Sequence, residues 1–427
     1  MTAAVPVKRA VARPMRAALR RYARARPRAR DLAGADRRVY ILLNTAYGMG
    51  GTIRANLNLA GHLARTHDVQ IISVARTREK PFFPFPPGVE VVWLEDRRPS
   101  YAAPRGLRLV HRLLRERSSL LVHPADIAYD FCNLWVDVML VRRLRRKAGF
   151  LITTRPAFNL IAAQLSPPGL VTIGQEQMNL RAHRAALRKA MVRHYDKLDV
   201  LAVLTEPDKR SYGERLNGRL RLERIPNTVR DDLGPAQADL DAKVILTAGR
   251  LTRQKGYDLL IPAFAQVAEA HPDWRLRICG RGRDKEALQN LIAEYGMGEA
   301  ISLERPARDL GREMERASIY VLSSRFEGLP LVLIEAMSKG MAVVSFDCPT
   351  GPGDVVEDGV NGLLVPPADV DALAAGIRQL IEDADLRRGC AAAAVETARG
   401  YTIDSVGPRW EALLDDLSRR RPAHAAG

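Results

Sequence analysis

Four side chains stand at spacings that suit a ligand rich in hydroxyls and phosphates. In "RFEGLPLVLIE" (325–335), Glu327 and Glu335 are separated by a Gly-Leu-Pro turn and an apolar run. Pro330 suits the first helical position, where its missing N–H goes unused. Gly340 suits a left-handed stop. The stretch therefore predicts a loop followed by a helix over "LVLIEAMSK", after a strand "IYVLSS". Glu327 falls at the carboxyl end of that strand, and Glu335 more than one turn inside the helix. Isolated carboxylates are seldom buried without a partner. Each can accept two hydrogen bonds from a vicinal diol, such as a sugar or a ribose presents. The competing reading is an acid that complements the helix dipole, plus one structural glutamate.

The two cations lie in "AGRLTRQKGYD" (248–258). Arg250 directly follows a strand, and Lys255 and Gly256 precede a helix. A planar guanidinium fork, a mobile ammonium and helix N–H groups at one junction suit a diphosphate. If the diphosphate leaves, the same charges stabilise what develops on it. Solvated loop cations are the other reading. A third strand end carries "YGMGG" (47–51), whose glycines allow backbone amides to approach an anion. It does not satisfy a dinucleotide fingerprint: the third glycine would fall at Ile53, and the next strand ends at Arg76 with no acid placed for a ribose. A plain tight turn is the alternative.

The elements that must position these groups alternate between strand and helix. Short apolar runs predict strands at "VYILL" (39–43), "VQIISV" (69–74), "FLITT" (150–154), "LVTIG" (170–174) and "VLAVLT" (200–205). After a polar stretch, "RIPNTVRDDLGPAQADLDA", a second set begins: "KVILTAG" (243–249), "RLRICG" (275–280), "AISL" (300–303), "IYVLSS" (319–324) and "MAVVSFD" (341–347). Helical periodicity marks Ile53, Leu57, Ala60 and Leu63, and again Leu259, Leu260, Ala263, Phe264, Val267 and Ala268. The pattern is α/β, with two doubly wound parallel-sheet domains. The boundaries read as a tail over 1–35, domains over 36–235 and 236–405, and a C-terminal segment over 406–427. In such sheets ligands bind outside the carboxyl ends of strands, so two domains facing a central cleft would place the site there.

Composition narrows the classes. A chain of 427 residues with 47% hydrophobic and 27% charged residues suits two or three soluble domains. No apolar run approaches the roughly 20 residues of a membrane span, and no secretory leader is evident. The four scattered cysteines read as buried thiols of a reducing compartment, so the expected location is cytoplasmic. Lys8 and nine arginines before Asp31 supply ten of the seventeen net positive charges. This tail is expected to stand outside the fold as a solvated basic arm or as an anchor on anionic lipid. Nucleic acid is not an expected partner, because no recognition module accompanies the charge.

The combination of these motifs resembles family 4 of the glycosyltransferases, which are retaining enzymes of the GT-B fold with two Rossmann-like domains. "YGMGGTIR", "VLTEPDK", "RIPN", "SSRFEGLPLVLIEAMSKG" and "SFDCPTGPGDVVEDGVNGLLVPP" follow one another in that family's order, over roughly residues 38–420. The resemblance implies transfer of a sugar from a nucleotide diphosphate donor, with Arg250 and Lys255 on the diphosphate, Glu327 on the sugar hydroxyls and Glu335 on the ribose. Arg250, Lys255 and Glu327 are the implied catalytic set. Gly50, Gly51, Gly249, Gly280, Arg305, Gly328, Leu329 and Pro330 complete the implied donor site. It also implies no metal and no cofactor, and a last helix at "RWEALLDDL" (409–417) that returns to the first domain. Three D-x-D spacings, at Asp239/Asp241, Asp369/Asp371 and Asp383/Asp385, read as solvated surface. "CPTGPGD" (348–354) resembles the bacterial members that build cell-envelope polysaccharides from UDP-sugars.

Two positions depart from the family. Gln177 stands where relatives carry a histidine against the sugar; it can donate and accept but cannot shuttle a proton. Arg305 stands where they carry glycine beside the base. His183, nearby, reads as a helix-surface histidine. Acceptors implied are a glycan, a lipid-linked saccharide or a small molecule. The basic runs "RGLRLVHRLLRER" (105–117) and "RRLRRK" (142–147) read as solvated faces or as docking sites on an anionic membrane at its inner face. An epimerase or a phosphorylase on the same architecture is a second enzyme reading. The alternative class is a non-catalytic protein that binds sugar nucleotides or envelope glycans.

Overall fold

The computed structural model describes residues 9–102, 105–165, 167–229, 237–307 and 309–420. The chain divides into two compact units. Unit 1 comprises Met1–Ile225 and Gly407–Gly427, and unit 2 comprises Pro226–Val406. The boundary thus falls ten residues before the expected one at 235, next to the polar stretch, of which 230–236 lie outside the described residues.

Unit 1 contains β1 (Arg38–Leu43), β2 (Asp68–Arg76), β3 (Glu90–Asp96), β4 (Gly149–Thr153), β5 (Leu170–Gln175), β6 (Val200–Val203) and β7 (Arg221–Arg224). Their order is β3-β2-β1-β4-β5-β6-β7, with every neighbouring pair parallel. Unit 2 contains β8 (Val244–Arg250), β9 (Arg275–Arg281), β10 (Ile301–Glu304), β11 (Ile319–Leu322), β12 (Ala342–Phe346) and β13 (Leu363–Val365). These are ordered β10-β9-β8-β11-β12-β13, again all parallel. Central strands are apolar along their length because helices cover both faces; β4, β5, β11 and β12 are buried at every residue. Their core residues pack into one apolar cluster per unit.

Three strands that the apolar runs do not predict are edges. β3 is partly exposed along "EVVW", β7 reads "RLER", and β13 is three residues long. An edge strand has one neighbour and tolerates charge, so it lacks the continuous apolar signature.

The basic tail is corrected by the structure. Arg9–Ala23 is a helix against unit 1 rather than an arm outside the fold. Ala23 is fully buried, and Leu19 packs on the unit's core. Arg16 Nε donates to the Leu120 carbonyl at 2.7 Å, Arg24 Nε donates to the Leu165 carbonyl at 3.1 Å, and Arg20 reaches the Gln164 side chain. These guanidinium groups satisfy oxygens of the buried Leu120 and Leu165 and of the Gln164 side chain, and long arginine stems can cover apolar surface, which offsets the loss of chain freedom. Residues 1–8 of the tail lie outside the described residues.

The last helix, Ile403–Arg420, contains the expected "RWEALLDDL". Its part from Gly407 onward clusters with unit 1. Glu411 Oε1 lies 3.0 Å from Nε2 of the buried His62, and Asp416 pairs with Arg221. Among the described residues no helix is long and apolar enough to cross a membrane. The four cysteines are buried free thiols.

Candidate active site

Unit 2 gathers the predicted groups at the carboxyl ends of β8 and β11, which are adjacent parallel strands. After β8 a short turn, Arg253–Lys255, ends in Gly256 at φ 65°, and the helix Tyr257–Ala270 begins. A Cβ at Gly256 would stand 1.9 Å from the Ser323 carbonyl oxygen. Only glycine allows this turn to lie against the β11 loop. Ser323 Oγ donates to the Lys255 carbonyl at 2.9 Å, and Arg325 N–H donates to the Gln254 carbonyl at 2.8 Å. Arg325 also grips Asp258 with two bonds of 2.7 Å. That guanidinium, beside Asp258, holds its carboxyl below the usual range.

The loops so joined place Lys255 Nζ 2.6 Å from Glu327 Oε1. Ser324 Oγ donates to the same oxygen at 2.6 Å. Both ion-pair partners are largely buried, with side-chain exposures of 13% and 9%. At Gly249 a Cβ would lie 3.2 Å from Lys255 Cε, so the glycine leaves room for the lysine stem to cross the strand end. Arg250 is exposed, and its Nη2 donates to Gln254 Oε1 at 2.9 Å. Gln254 Nε2 in turn donates to the Phe326 carbonyl at 3.1 Å. Gln254 and Ser324 thus tie the two cations and the carboxylate together, and the motif reading missed both.

Gly328, Leu329 and Pro330 are buried beside this pair. Pro330 is the residue just before the helix Leu331–Ser338, one position earlier than expected, and Gly340 has the expected left-handed φ of 70°. The "CPTG" loop closes over them. Thr350 Oγ1 donates to the Glu327 carbonyl at 2.9 Å, and a Cβ at Gly351 would meet the Gly328 carbonyl at 2.3 Å. Burial pushes the Cys348 thiol up to about 12, with the Glu327 charge adding to the effect. Glu335 is half-buried on the helix. Gly280, the penultimate residue of β9, pairs with Gly249, and Arg305 is exposed just after β10. The aspartates of the D-x-D spacings have local tasks. Asp369 and Asp383 cap helices, and Asp371 accepts a bond from Gln266.

Unit 1 brings its own predicted groups together. Gly50 precedes the helix Gly51–Leu63, and both glycines are exposed. Gln177 accepts a 3.4 Å bond at Oε1 from Thr52 Oγ1 in that helix's first turn. Beside Gln177 lies a carboxylate that the sequence reading passed over. Glu176 is 2% exposed and accepts from Tyr195 OH at 2.5 Å and Asn159 Nδ2 at 2.7 Å. Burial, then the Glu176 charge, raises the Tyr195 phenol well above its usual range. His183 is corrected from a surface histidine: its side chain is 13% exposed, with Nε2 3.4 Å from Glu176 Oε2. It stands in extended backbone just after the short 3-10 turn Leu180–Ala182, not on the surface of a helix.

The chain is similar to known proteins in its second unit and in its fold. Residues 230–397, in unit 2, match the family "Glycosyl transferases group 1". An exopolysaccharide phosphotransferase of Streptomyces coelicolor is 35% identical over 392 residues, which cover 90% of this chain; the chain spans only 41% of that relative's length. An uncharacterized glycosyltransferase of Haemophilus influenzae is 28% identical over 370 residues, covering 86% of this chain and 96% of the relative. Among solved structures, the pneumococcal O-GlcNAc transferase GtfA, in complex with UDP and GlcNAc, superposes with a TM-score of 0.69 at 16% identity. That match covers 89% of this chain and 99% of GtfA. The chain has the GT-B fold, and its second unit carries the sequence signature of the glycosyl transferases group 1.

Proposed function

We propose that the chain is a retaining glycosyltransferase of family 4, of the hexosyltransferase type. It moves a sugar from a nucleotide diphosphate, with UDP the expected carrier, to a glycan or lipid-linked acceptor of bacterial polysaccharide assembly. The observation that carries this reading is the Lys255–Glu327 pair at 2.6 Å, set between two strand ends with Arg250 beside it. In this reading a bound donor exchanges the pair. The ammonium turns to the diphosphate, and the carboxylate accepts from sugar hydroxyls. Arg250 shares the diphosphate charge and Glu335 holds the ribose. The C1–O bond to phosphate breaks as the acceptor oxygen bonds to C1 on the same face, and the acceptor proton passes to the leaving phosphate oxygen. No protein nucleophile is required. The two cations supply the charge stabilisation that other transferases draw from a metal, so the reaction is proposed to be metal-independent.

GtfA with UDP and GlcNAc, and the exopolysaccharide named for the Streptomyces relative, support the donor and acceptor classes. The helix Arg108–Arg115 supports a contact with anionic membrane at its inner, cytoplasmic face, since Leu109, Val110 and Leu113 are exposed between its arginines. In the second basic run Arg145 stacks on Tyr22 and Lys147 lies over Tyr40, so that run offers less free charge.

The test is thermal stabilisation by nucleoside diphosphates and their sugars, with Lys255→Ala alongside. A ligand of the native state stabilises by RT ln(1 + [L]/Kd), about 2.7 kcal/mol at a hundredfold excess over Kd. A shift with one base, lost in the variant, is expected. With acceptor present, release of UDP marks sugar transfer. Release of UMP would mark transfer of a sugar phosphate and overturn the reading, as would the absence of any shift.

A further inference from the structure

The chain from β2 to β3 in unit 1 contains "KPFFPFPPG" (80–88), an aromatic and proline-rich loop that the donor chemistry leaves unused. It leaves the carboxyl end of β2, next to that of β1, where doubly wound sheets bind ligands. The loop is fastened to the glycine turn after β1. Phe82 N–H donates to the Tyr47 carbonyl at 3.3 Å, and Phe85 packs edge-on against the Tyr47 ring with centroids 5.4 Å apart. The Arg54 guanidinium lies 4.8 Å over Phe83. Pro86 sits against Gly61, where a Cβ would be 2.9 Å away. Four prolines at 81, 84, 86 and 87 fix the loop's φ angles, so little freedom remains to be lost on binding.

This fastening holds Phe82 outward. It is 47% exposed, at right angles to Phe83 with centroids 4.9 Å apart. An apolar ring kept in water by a stiff loop is a stacking surface. Pyranose rings offer such a surface its complement: axial C–H groups on the faces and hydroxyls at the edges. The edge needs planar hydrogen-bonding groups, and the loop's base has them. Glu79 accepts from Ser100 Oγ at 2.7 Å and pairs with Arg98. Arg98 also holds Asp96 through bonds of 2.9 and 2.7 Å. Arg76, at the end of β2, lies 4.6 Å over Trp93 and 5.5 Å from the Tyr47 ring. The base mixes Arg76, Arg78, Lys80 and Arg98 with the carboxylates of Glu79 and Asp96. Hydroxyls can both donate and accept there, whereas a lipid phosphate can only accept, so the mixture favours a saccharide over a membrane.

We propose that the loop 80–88, with Phe82 as its platform and the Glu79–Arg98 pair at its edge, is a saccharide subsite that seats the acceptor chain. This rests on the transferase reading for the word acceptor, while the binding itself does not.

The experiment is saturation-transfer NMR on the full chain with cellotetraose and with maltotetraose, irradiating aromatic protons. The expected result is transfer to the C–H protons of at least one of them. It should fall at least tenfold in Phe82→Ala, persist in Phe82→Trp and weaken in Glu79→Gln. UDP-induced thermal stabilisation, measured in parallel, should be the same in all of these variants. No transfer to either oligosaccharide, or equal transfer in Phe82→Ala, overturns the proposal. So does Phe82-dependent adsorption to phosphatidylglycerol vesicles in place of saccharide binding. Saccharide binding without any nucleotide effect would overturn the transferase reading and leave the subsite standing. The converse would overturn the subsite alone.

Discussion

Each unit buries a carboxylate just beyond a strand end, and each stabilises it differently. Glu327 of unit 2 meets a cation, Lys255, and a serine hydroxyl. Glu176 of unit 1 accepts from a phenol and an amide, Tyr195 and Asn159, both themselves buried, with the His183 ring 3.4 Å from its other oxygen. A lysine on a four-carbon stem can leave a carboxylate for a better anion and return. A phenol locked in the core cannot. The contrast separates an exchangeable pair, suited to a ligand, from a fixed clamp that shapes the loop carrying Gln177. Arg250 belongs with the exchangeable side, because its present partner is the neutral Gln254 on an exposed loop.

The largest expected effect follows from that assignment. Arg250→Ala should reduce turnover by roughly 100- to 1,000-fold, the range for removing one donor aimed at developing charge. Stability should change little, since the side chain is exposed. Steady-state rates with the donor identified by thermal shift check this. Turnover within a few-fold of the parent would place Arg250 among ordinary surface cations and break the contrast on the ligand side.

What the sequence made legible follows the same division. Arg250, Lys255 and Glu327 stand in short motifs with fixed neighbours, so their types and order were readable. Their joining was not, because Lys255 and Glu327 are 72 positions apart and meet where the Gly256–Ser323 contact and the Arg325 bonds bring two loops together. Gln254 and Ser324 are common residues whose value lies in that meeting. Glu176 was hidden for a related reason. Its burial depends on Asn159 and Tyr195 from two other helical segments, and the flanking Gln175 and Gln177 made the stretch look like a polar loop. The central strands were plain as apolar runs, whereas the edges β3, β7 and β13 were not. The arginine-rich tail misled, since its alanines and Leu19 supply an apolar side that net charge obscures.

A smaller effect, in stability, sharpens the contrast. Lys255→Met strands a buried carboxylate and should destabilise unit 2 by about 3 kcal/mol. Adding Glu327→Leu removes the stranded charge, and most of the loss should return. In unit 1, Glu176→Leu takes the acceptor from the Tyr195 hydroxyl and from one Asn159 N–H, while Asn159 keeps its 3.0 Å bond to the Gln175 carbonyl; each orphaned group costs about 1–3 kcal/mol. A single further change such as Tyr195→Phe should recover only part of that. Urea unfolding of the four variants beside the parent measures both recoveries. Equal recovery in the two units would mean that the clamp and the pair are the same kind of interaction.

The last effect, smallest per pH unit, is a pH trend in which Asp137 of unit 1 and the paired acids of unit 2 have opposite signs. Asp137 of unit 1 is fully enclosed, accepting from Ser119 Oγ at 2.7 Å and from the Leu120 and Leu121 N–H groups at 2.6 and 3.2 Å. Burial outweighs these bonds and the Arg16 charge, and pushes its carboxyl up to about 7. The native chain therefore binds this proton more tightly than the unfolded chain. The stability it contributes is complete at acid pH and is lost as pH rises through the unfolded value toward about 7, at no more than ~1.4 kcal/mol per pH unit. His67, His111, His123 and His194, lowered mainly by burial, add an opposite slope in the same unit. The informative quantity is therefore the parent's stability minus that of Asp137→Asn. It should fall between pH 5 and 7 and then level. In unit 2 the carboxyls of Asp258 and Glu304 are held down, each by a guanidinium bond, so their contribution is lost only under acid conditions. Hydrogen-exchange free energies, read separately for the two units and corrected for intrinsic rates, should show the Asp137 difference in unit 1 and none in unit 2. A level difference in unit 1 would mean that Asp137 is ionised throughout. The three donors around it would then outweigh its burial.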